Sequence, residues 1–354
     1  MIPSETLFLE AKALVSQLIA CPSLSKEEDG TAVIIQDFLK AKGIETQRLG
    51  NNIWAKNLHF DPKKPNVLLN SHHDTVKANE SWTESPYAAT EKDGKIIGLG
   101  SNDAGASLVC LIATFCHFYA MNDLPFNLVL AATAEEEISG QGGIESLIHD
   151  EDFPEIAWAI VGEPTDCQVA IAEKGLMVID ATCTGKAGHA ARNEGINAIE
   201  IAVSDIQKIQ GHRFERVSEV LGAVKTTVTV IQAGKQHNVI PDVCTYTIDC
   251  RVNELYTLAE ILTELQSIVA AQLVPRSMRL QSSRIDEHHP VVLAAKKLGL
   301  KTFGSPTLSD QALLPCPSIK MGPGHSGRSH TADEFIFVDE IKQGIDLYIQ
   351  LLTF

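Results

Sequence analysis

Two short apolar runs, each cut off by a cluster of ionisable side chains, constrain this chain more than any other feature. Val67-Leu68-Leu69-Asn70 runs into Ser71-His72-His73-Asp74, and Asn127–Ala132 runs into Thr133-Ala134-Glu135-Glu136-Glu137. Runs this short and continuous predict strands buried on both faces, as in a largely parallel sheet covered by helices. They fall far below the roughly 18 apolar residues a membrane span requires. An α/β sheet places its chemistry outside the carboxyl ends of such strands, which is where both clusters stand.

The flanking pattern agrees with an α/β architecture. Apolar residues recur at helical spacing from Ser4 to about Ile19 and from Thr31 to Lys42, where Gly43 ends the repeat. Asn52–Lys56 and Phe126–Ala132 read as strands, with a helix near Ala104–Met121 before the second of them. After Cys167 the pattern shifts. Val169–Cys183, Thr226–Gln232 and Val243–Val252 look like strands, while Asn197–Gln210 and Leu258–Ala271 look like helices. The order is that of a β-α-β-β-α-β, ferredoxin-like α+β unit. From about His289 the earlier alternation resumes. The expectation is a discontinuous catalytic domain, 1–171 with 284–354, interrupted by an inserted domain at 172–283; at 354 residues the chain exceeds the size at which single cores stop growing, roughly 250–300 residues.

A net charge of −16 would repel phosphate backbones and anionic lipid, which argues against nucleic-acid and membrane partners. The start of the chain, Met-Ile-Pro-Ser-Glu-Thr-Leu-Phe-Leu-Glu, lacks a basic region followed by an apolar run, so a cytoplasmic protein is expected. Its eight cysteines contain no Cys-x-x-Cys pair and read as small buried hydrophobes in a reducing compartment.

Three more segments carry ionisable groups at strand or helix ends. Gly98-Leu99-Gly100-Ser101-Asn102-Asp103 leads into an apolar helix, and Asp103 there suits either a metal or a helix N-cap. Val161-Gly162-Glu163-Pro164-Thr165 closes a further run, where Glu163 reads equally as a turn residue. Gly322-Pro323-Gly324-His325-Ser326-Gly327-Arg328-Ser329-His330-Thr331-Ala332-Asp333-Glu334 holds two histidines that a surface loop could also carry. Three adjacent carboxylates at Glu135–Glu137 repel one another, a cost that a nearby cation relieves. Taken together, imidazole and carboxylate donors from dispersed strand ends are a set zinc accepts, with too little sulfur for a structural site and too much imidazole for Mg²⁺ or Ca²⁺.

The ordered run His-x-Asp, Gly-x-Gly-x-x-Asp, Glu-Glu, Gly-Glu-Pro-Thr and Gly-Pro-Gly with a distal Ser-His-Thr-x-Asp-Glu resembles the co-catalytic zinc aminoacylase and carboxypeptidase superfamily. The likeness is greatest to its acetylornithine deacetylase and succinyl-diaminopimelate desuccinylase branch, and spans about His72 to Glu334. By that resemblance the fold is a zinc-exopeptidase-like domain, a mixed sheet flanked by helices, with an inserted lid. His72, Asp103 and Glu163 would serve one Zn²⁺ and Glu137 and His330 a second, with Asp103 bridging and Co²⁺ or Mn²⁺ able to substitute. Asp74 would orient His72, and Glu136 would be the general base.

The resemblance extends into the insert. Gly185-Lys186-Ala187-Gly188-His189 looks like the lid motif whose His189 reaches a partner subunit's site, implying a homodimer through the inserted domain. Asn238 and Arg251 look like the lid residues that meet substrate, and Gly324 falls in the substrate-side Gly-Pro-Gly. The implied activity is hydrolysis of an N-acyl amino acid, foremost acetylornithine in arginine biosynthesis. A desuccinylase, a dipeptidase and, in another class, a silent metal- or peptide-binding module are the alternatives. Departures from the pattern are Glu135 in place of the usual Asp, Lys77 in place of a proline, and Ala104-Gly105-Ala106 in place of Met-Lys-Gly. His73 and His325 carry no family role and read as non-ligating.

Overall fold

The computed structural model describes residues 3–353. The chain separates into two compact units. The first takes the chain up to Ile171, Arg284–Phe303 and the stretch from Ser309 onward; the second takes Ala172–Ser283 and Gly304–Leu308. That last segment lies in what the sequence pattern assigns to the larger part.

In the first unit, strands Asn127–Thr133, Asn66–His72, Trp158–Gly162 and Ser318–Met321 lie side by side and parallel. Asn52–Lys56 joins antiparallel beside Asn127–Thr133, and Val169–Glu173 antiparallel beside Ser318–Met321. Every residue of Asn127–Thr133 is buried, as a strand covered on both faces must be. One cover is the helix Ala106–Phe118, in which only His117 escapes burial; a helix apolar all round belongs in an interior. It packs against the Asn66–His72 and Asn127–Thr133 strands on one side and helices Ser4–Ala20 and Val338–Leu351 on the other.

The chain leaves the Asn66–His72 strand for its neighbour on one side and later returns to pair on the other. His72 lies opposite Thr133, and Met321 opposite Gly162, so the parallel strands finish along a common edge. This reversal of strand order opens a crevice beyond the carboxyl ends.

Two expectations are corrected. Val169–Cys183 is two strands, Val169–Glu173 and Gly175–Thr184. The first is buried on both faces, whereas the second alternates buried and half-buried residues, the mark of a sheet covered on one side. At the break, a Cβ on Gly175 would fall 2.7–2.8 Å from the backbone of Leu280, Gln281 and Ser282, so the chain passes there only as glycine. The helix expected near Ala104–Met121 spans Ala106–Phe118 and is preceded by an irregular turn at Ser101–Gly105. Asp103 is extended in that turn (φ −117°, ψ 97°), and the helix has no side-chain cap. The N-cap reading of Asp103 is thereby overturned.

The second unit holds an antiparallel sheet in the order Lys225–Ala233, Val243–Val252, Gly175–Thr184, Gln272–Pro275. With helices Ala198–Gly211 and Leu258–Ile268 the chain order is β-α-β-β-α-β. Met177, Ile179, Tyr246, Ile248, Ile261 and Leu265 lie at the centre of its core. Among the described residues no helix is long and apolar enough to cross a membrane.

Candidate metal centre

His72 ends its strand fully buried, and its ring is held by Asp74, two residues further along the chain. Nδ1 donates to the Asp74 main-chain carbonyl at 3.0 Å, with the Asp74 carboxylate 3.3 Å away. In the neutral ring that hydrogen bond fixes the tautomer and leaves the lone pair on Nε2. Nε2 is buried, has no hydrogen-bond partner among the described residues, and faces oxygens of Asp103 at 3.4 Å, Glu163 at 3.7 Å and Glu136 at 3.8 Å.

A lone pair aimed at three carboxylates is repulsive unless something positive sits between them. Like charges 4 Å apart cost about 4 kcal/mol at an effective dielectric near 20, and one proton on His72 would answer only part of that. Ligand bonds of about 2.0–2.2 Å in tetrahedral geometry put donor atoms roughly 3.3–3.6 Å apart. The spacing around His72 is close to that. Two overlapping groups, His72/Asp103/Glu137 and His72/Glu136/Glu163, each bring one donor per residue within 4.8 Å of the others. The residues therefore fit a cation.

Asp103 reaches both ways. Its Oδ1 is the atom 3.4 Å from His72, while its Oδ2 stands 3.5 Å from Nε2 of His330. His330 also meets Glu137 Oε2 at 2.9 Å. Its side chain is 54% exposed where His72 is 1% exposed, so the two imidazoles flank Asp103 from the solvent side and the buried side; the His330 backbone is left-handed at φ 60°.

Glu136 and Glu137 come just after the end of Asn127–Thr133, and their backbone N–H groups donate to the Asp74 carboxylate at 3.1 and 3.2 Å. Ser25 Oγ donates to the same carboxylate at 2.7 Å. Asp74 thus ties the acidic turn to the His72 strand, a task additional to steadying the ring. Glu135 turns away: its carboxylate folds over its own loop, where a Cβ on Gly140 or Gly142 would strike it at 2.0 and 2.3 Å. Those glycines make room for Glu at the position where Asp is usual.

The titration behaviour of the cluster reflects a surplus of negative charge. Burial pushes the Glu163 carboxyl up to about 8, with Asp103 and Glu137 adding to the effect and His72 and Lys320 opposing it. Burial also raises Glu136 well above the carboxylate range, reinforced by Glu163, Asp310 and Glu137. Burial would depress His72, but Glu136, Asp103, Asp74 and Glu163 outweigh it and hold the imidazole well above its usual value. The Glu137 hydrogen bond is the main reason His330 is raised to about 9. Protons take up the role a divalent ion would otherwise fill.

The remaining sequence candidates are dispersed. Gly324 is left-handed at φ 85°, and a Cβ there would lie 2.3 Å from Asn102 Oδ1. His73 is buried away from the cluster, between Thr31 Oγ1 at 2.8 Å and the Asn51 carbonyl at 3.0 Å. His325 accepts from Gly327 N at 2.9 Å and caps a short 3₁₀ turn. In the second unit, exposed His189 lies on a two-residue ribbon against Val239, and Ala190 N donates to the Asn238 carbonyl at 3.0 Å, so His189 and Asn238 adjoin. Arg251 turns its guanidinium onto Asp249, at 2.8 and 3.0 Å.

Sequence reasoning assigned no role to three buried charges beside the cluster, Glu334 being quoted only as the end of the last motif. Asp310 accepts from Thr133 Oγ1 at 2.8 Å, and burial lifts it to about 6. Lys320 is 3% exposed on a sheet strand and acts electrostatically on Glu163. Glu334 accepts from the backbone of the Asp103 turn. A lone charge inside a short apolar run, such as Lys320 in Ser318-Ile319-Lys320-Met321, was the available signal for the second of these.

The model of peptidase family M20/M25/M40 matches residues 68–353. The chain is 28% identical to acetylornithine deacetylase of Shigella sonnei over 370 residues, covering 95% of each chain. It is 24% identical to succinyl-diaminopimelate desuccinylase of Ehrlichia ruminantium over 375 residues, covering 97% of each. Among solved structures, aminopeptidase PepT of Bacillus cereus superposes with a TM-score of 0.78 at 17% identity, over 99% of this chain and 98% of that one. A Bacillus subtilis protein described as a dinuclear metal-binding M20 peptidase gives 0.74 at 16% identity, over 98% of each. With most of its length matched by one family model, and with imidazole and carboxylate donors converging at the carboxyl ends of its parallel strands, this chain belongs to peptidase family M20/M25/M40.

Proposed function

We propose that this chain hydrolyses the amide bond of an N-acyl amino acid, in the manner of an acetylornithine deacetylase. The observation that carries the reading is Glu136. Its carboxylate stands 3.8 Å from the bare nitrogen of His72, and its backbone is fastened by Asp74. A module that only bound a metal or a peptide would need no such base.

His72, Asp103 and Glu163 would hold one Zn²⁺ and Glu137 and His330 a second, with Asp103 shared between them; Co²⁺ or Mn²⁺ would substitute. Such ions would supply Lewis-acid polarisation of the scissile carbonyl and a lowered pKa for the attacking water. Glu136 takes the proton of the attacking water and returns it to the departing nitrogen. His189 of a second copy donates an N–H to the carbonyl oxygen as negative charge develops there. Arg251 receives the α-carboxylate on its planar fork, exchanging Asp249 for the substrate, and Asn238 assists from the neighbouring ribbon. Gly324 would meet substrate through its backbone, the place of its missing side chain being taken by Asn102.

A homodimer through the second unit completes this reading. Lys225–Ala233 is an edge strand, and its Val230 and Ile231 are 47% and 50% exposed, a surface that strand pairing with another copy would cover. A desuccinylase is the second reading, favoured by the relative of that name. Release of acetate and of succinate from acetyl- and succinyl-ornithine, -citrulline and -diaminopimelate, at fixed Zn²⁺, separates the two. Acetylornithine is expected to turn over fastest; a metal-replete protein that hydrolyses none of the panel would reject the proposal.

A further inference from the structure

We infer that Glu334 is the positioning residue that lets the Asp103 carboxylate face His72 and His330 at once. The inference rests on the two-cation reading of the site. Asp103 has no regular element to steady it, since its turn departs from helical geometry at Asp103 and Ala104. Yet its two oxygens stand at 3.4 and 3.5 Å from two imidazole nitrogens that are far apart along the chain. A carboxylate shared in this way must be fixed in rotation as well as in place.

Glu334 supplies that restraint. It is 1% exposed, and its Oε1 accepts from the backbone N–H groups of Asn102 and Asp103, each at 2.9 Å. Two successive peptide donors on one oxygen set the tilt of the peptide entering Asp103, and with it the direction of the side chain. Glu334 is itself anchored. Its carbonyl accepts from Gly98 N at 2.9 Å, and the next residue enters a strand in which Phe335 pairs with Ile97 and Ile336 with Ile96. Because His330 lies four residues earlier, one short segment presents the second imidazole and aims the carboxylate that meets it.

The neighbouring Asp333 gives a natural control. Its carboxylate holds a different loop, accepting from the backbone of Thr83 and Glu84 at 2.9 Å and from Thr83 Oγ1 at 2.6 Å. Among the described residues, it makes no hydrogen bond to the Asp103 turn.

The test counts Zn²⁺ per full-length chain by elemental analysis after gel filtration, with affinities by calorimetry and folding followed by circular dichroism. Wild type is expected to hold two ions and Glu334→Ala one. Glu334→Gln keeps an oxygen acceptor and is expected to keep two; Asp333→Ala is expected to keep two as well. Should Glu334→Ala fail to fold, Glu334→Asp, which draws the carboxylate back by about one methylene, is expected to bind the weaker ion about 10–100-fold less tightly. Two ions at wild-type affinity in Glu334→Ala or Glu334→Asp, or an equal loss in Asp333→Ala, would overturn the inference. Fewer than two ions in wild type would instead overturn the reading it rests on.

Discussion

Glu135, Glu136 and Glu137 are consecutive, yet each meets a different environment. Glu135 caps its own glycine loop, Glu136 faces His72 and Glu137 meets His330. The division yields separable expectations. Glu136→Gln is expected to lower kcat by about 10²–10⁴, the usual contribution of a positioned acid-base group, while leaving metal content unchanged. His72→Ala is expected to lose metal outright, read in the same elemental assay. Asp74→Asn is expected to weaken metal binding by about 10–100-fold, because it loosens both the His72 ring and the turn that presents Glu136 and Glu137. His72, Glu136, Glu137 and Glu163 were legible as candidates in sequence because each stands where an apolar run stops, whereas Asp103 and His330 were candidates through the motif order alone. Asp310 and Glu334 were not, because a single carboxylate in a mixed-polarity stretch carries no periodicity, and its meaning lies in partners far along the chain.

At the scale of single elements, the helix Leu258–Ile268 opens with a full capping box between Thr257 and Glu260. The Glu260 carboxylate accepts from Thr257 N and Oγ1 and from Arg216 Nη2, at 2.7–2.9 Å. The Thr257 backbone donor is the chief reason its pKa falls to about 2, helped by Arg216. A carboxyl lowered on folding adds stability that is complete above its unfolded value, near 4.3, and vanishes as pH drops through about 2. Melting of the wild type between pH 5 and 2 is therefore expected to contain a component that Glu260→Gln lacks. A difference between the two proteins that does not shrink as the pH falls would contradict this.

The Val169–Cys183 stretch illustrates what patterning conveys about elements and what it leaves out. Its switch from continuous to alternating burial was not written in the sequence, where Leu176–Ile179 is as continuously apolar as Val169–Ala172, and the break at Lys174 carries neither proline nor a turn dipeptide. The backbone crowding at Gly175 explains the break, and Gly175→Ala is expected to destabilise the protein by about 1–3 kcal/mol in denaturant titration.

For the molecule as a whole, metal and folding are linked. The carboxylates around His72 repel one another without a cation, so a chelator is expected to lower the melting temperature. Zn²⁺ at about 100 times its Kd is expected to restore about 2.7 kcal/mol, read by denaturant unfolding with and without the ion. If His189 acts across an interface, Glu136→Ala and His189→Ala chains mixed under subunit exchange are expected to regain part of the activity that each lacks alone. Proven exchange without recovery would place His189 outside the reaction.

By itself the sequence determined the α/β alternation, the insertion of a second pattern after Cys167, and the kinds of donor that end each apolar run. Those properties are written in short-range periodicity, which comes from the geometry of strand and helix. Only the tertiary structure decided that Asp103 leaves its helix to stand between two imidazoles, and that His330 meets Glu137 across 193 residues of chain. Such distances are set by how the parallel strands align and by which buried partners fix each turn, and no local stretch of residues encodes them.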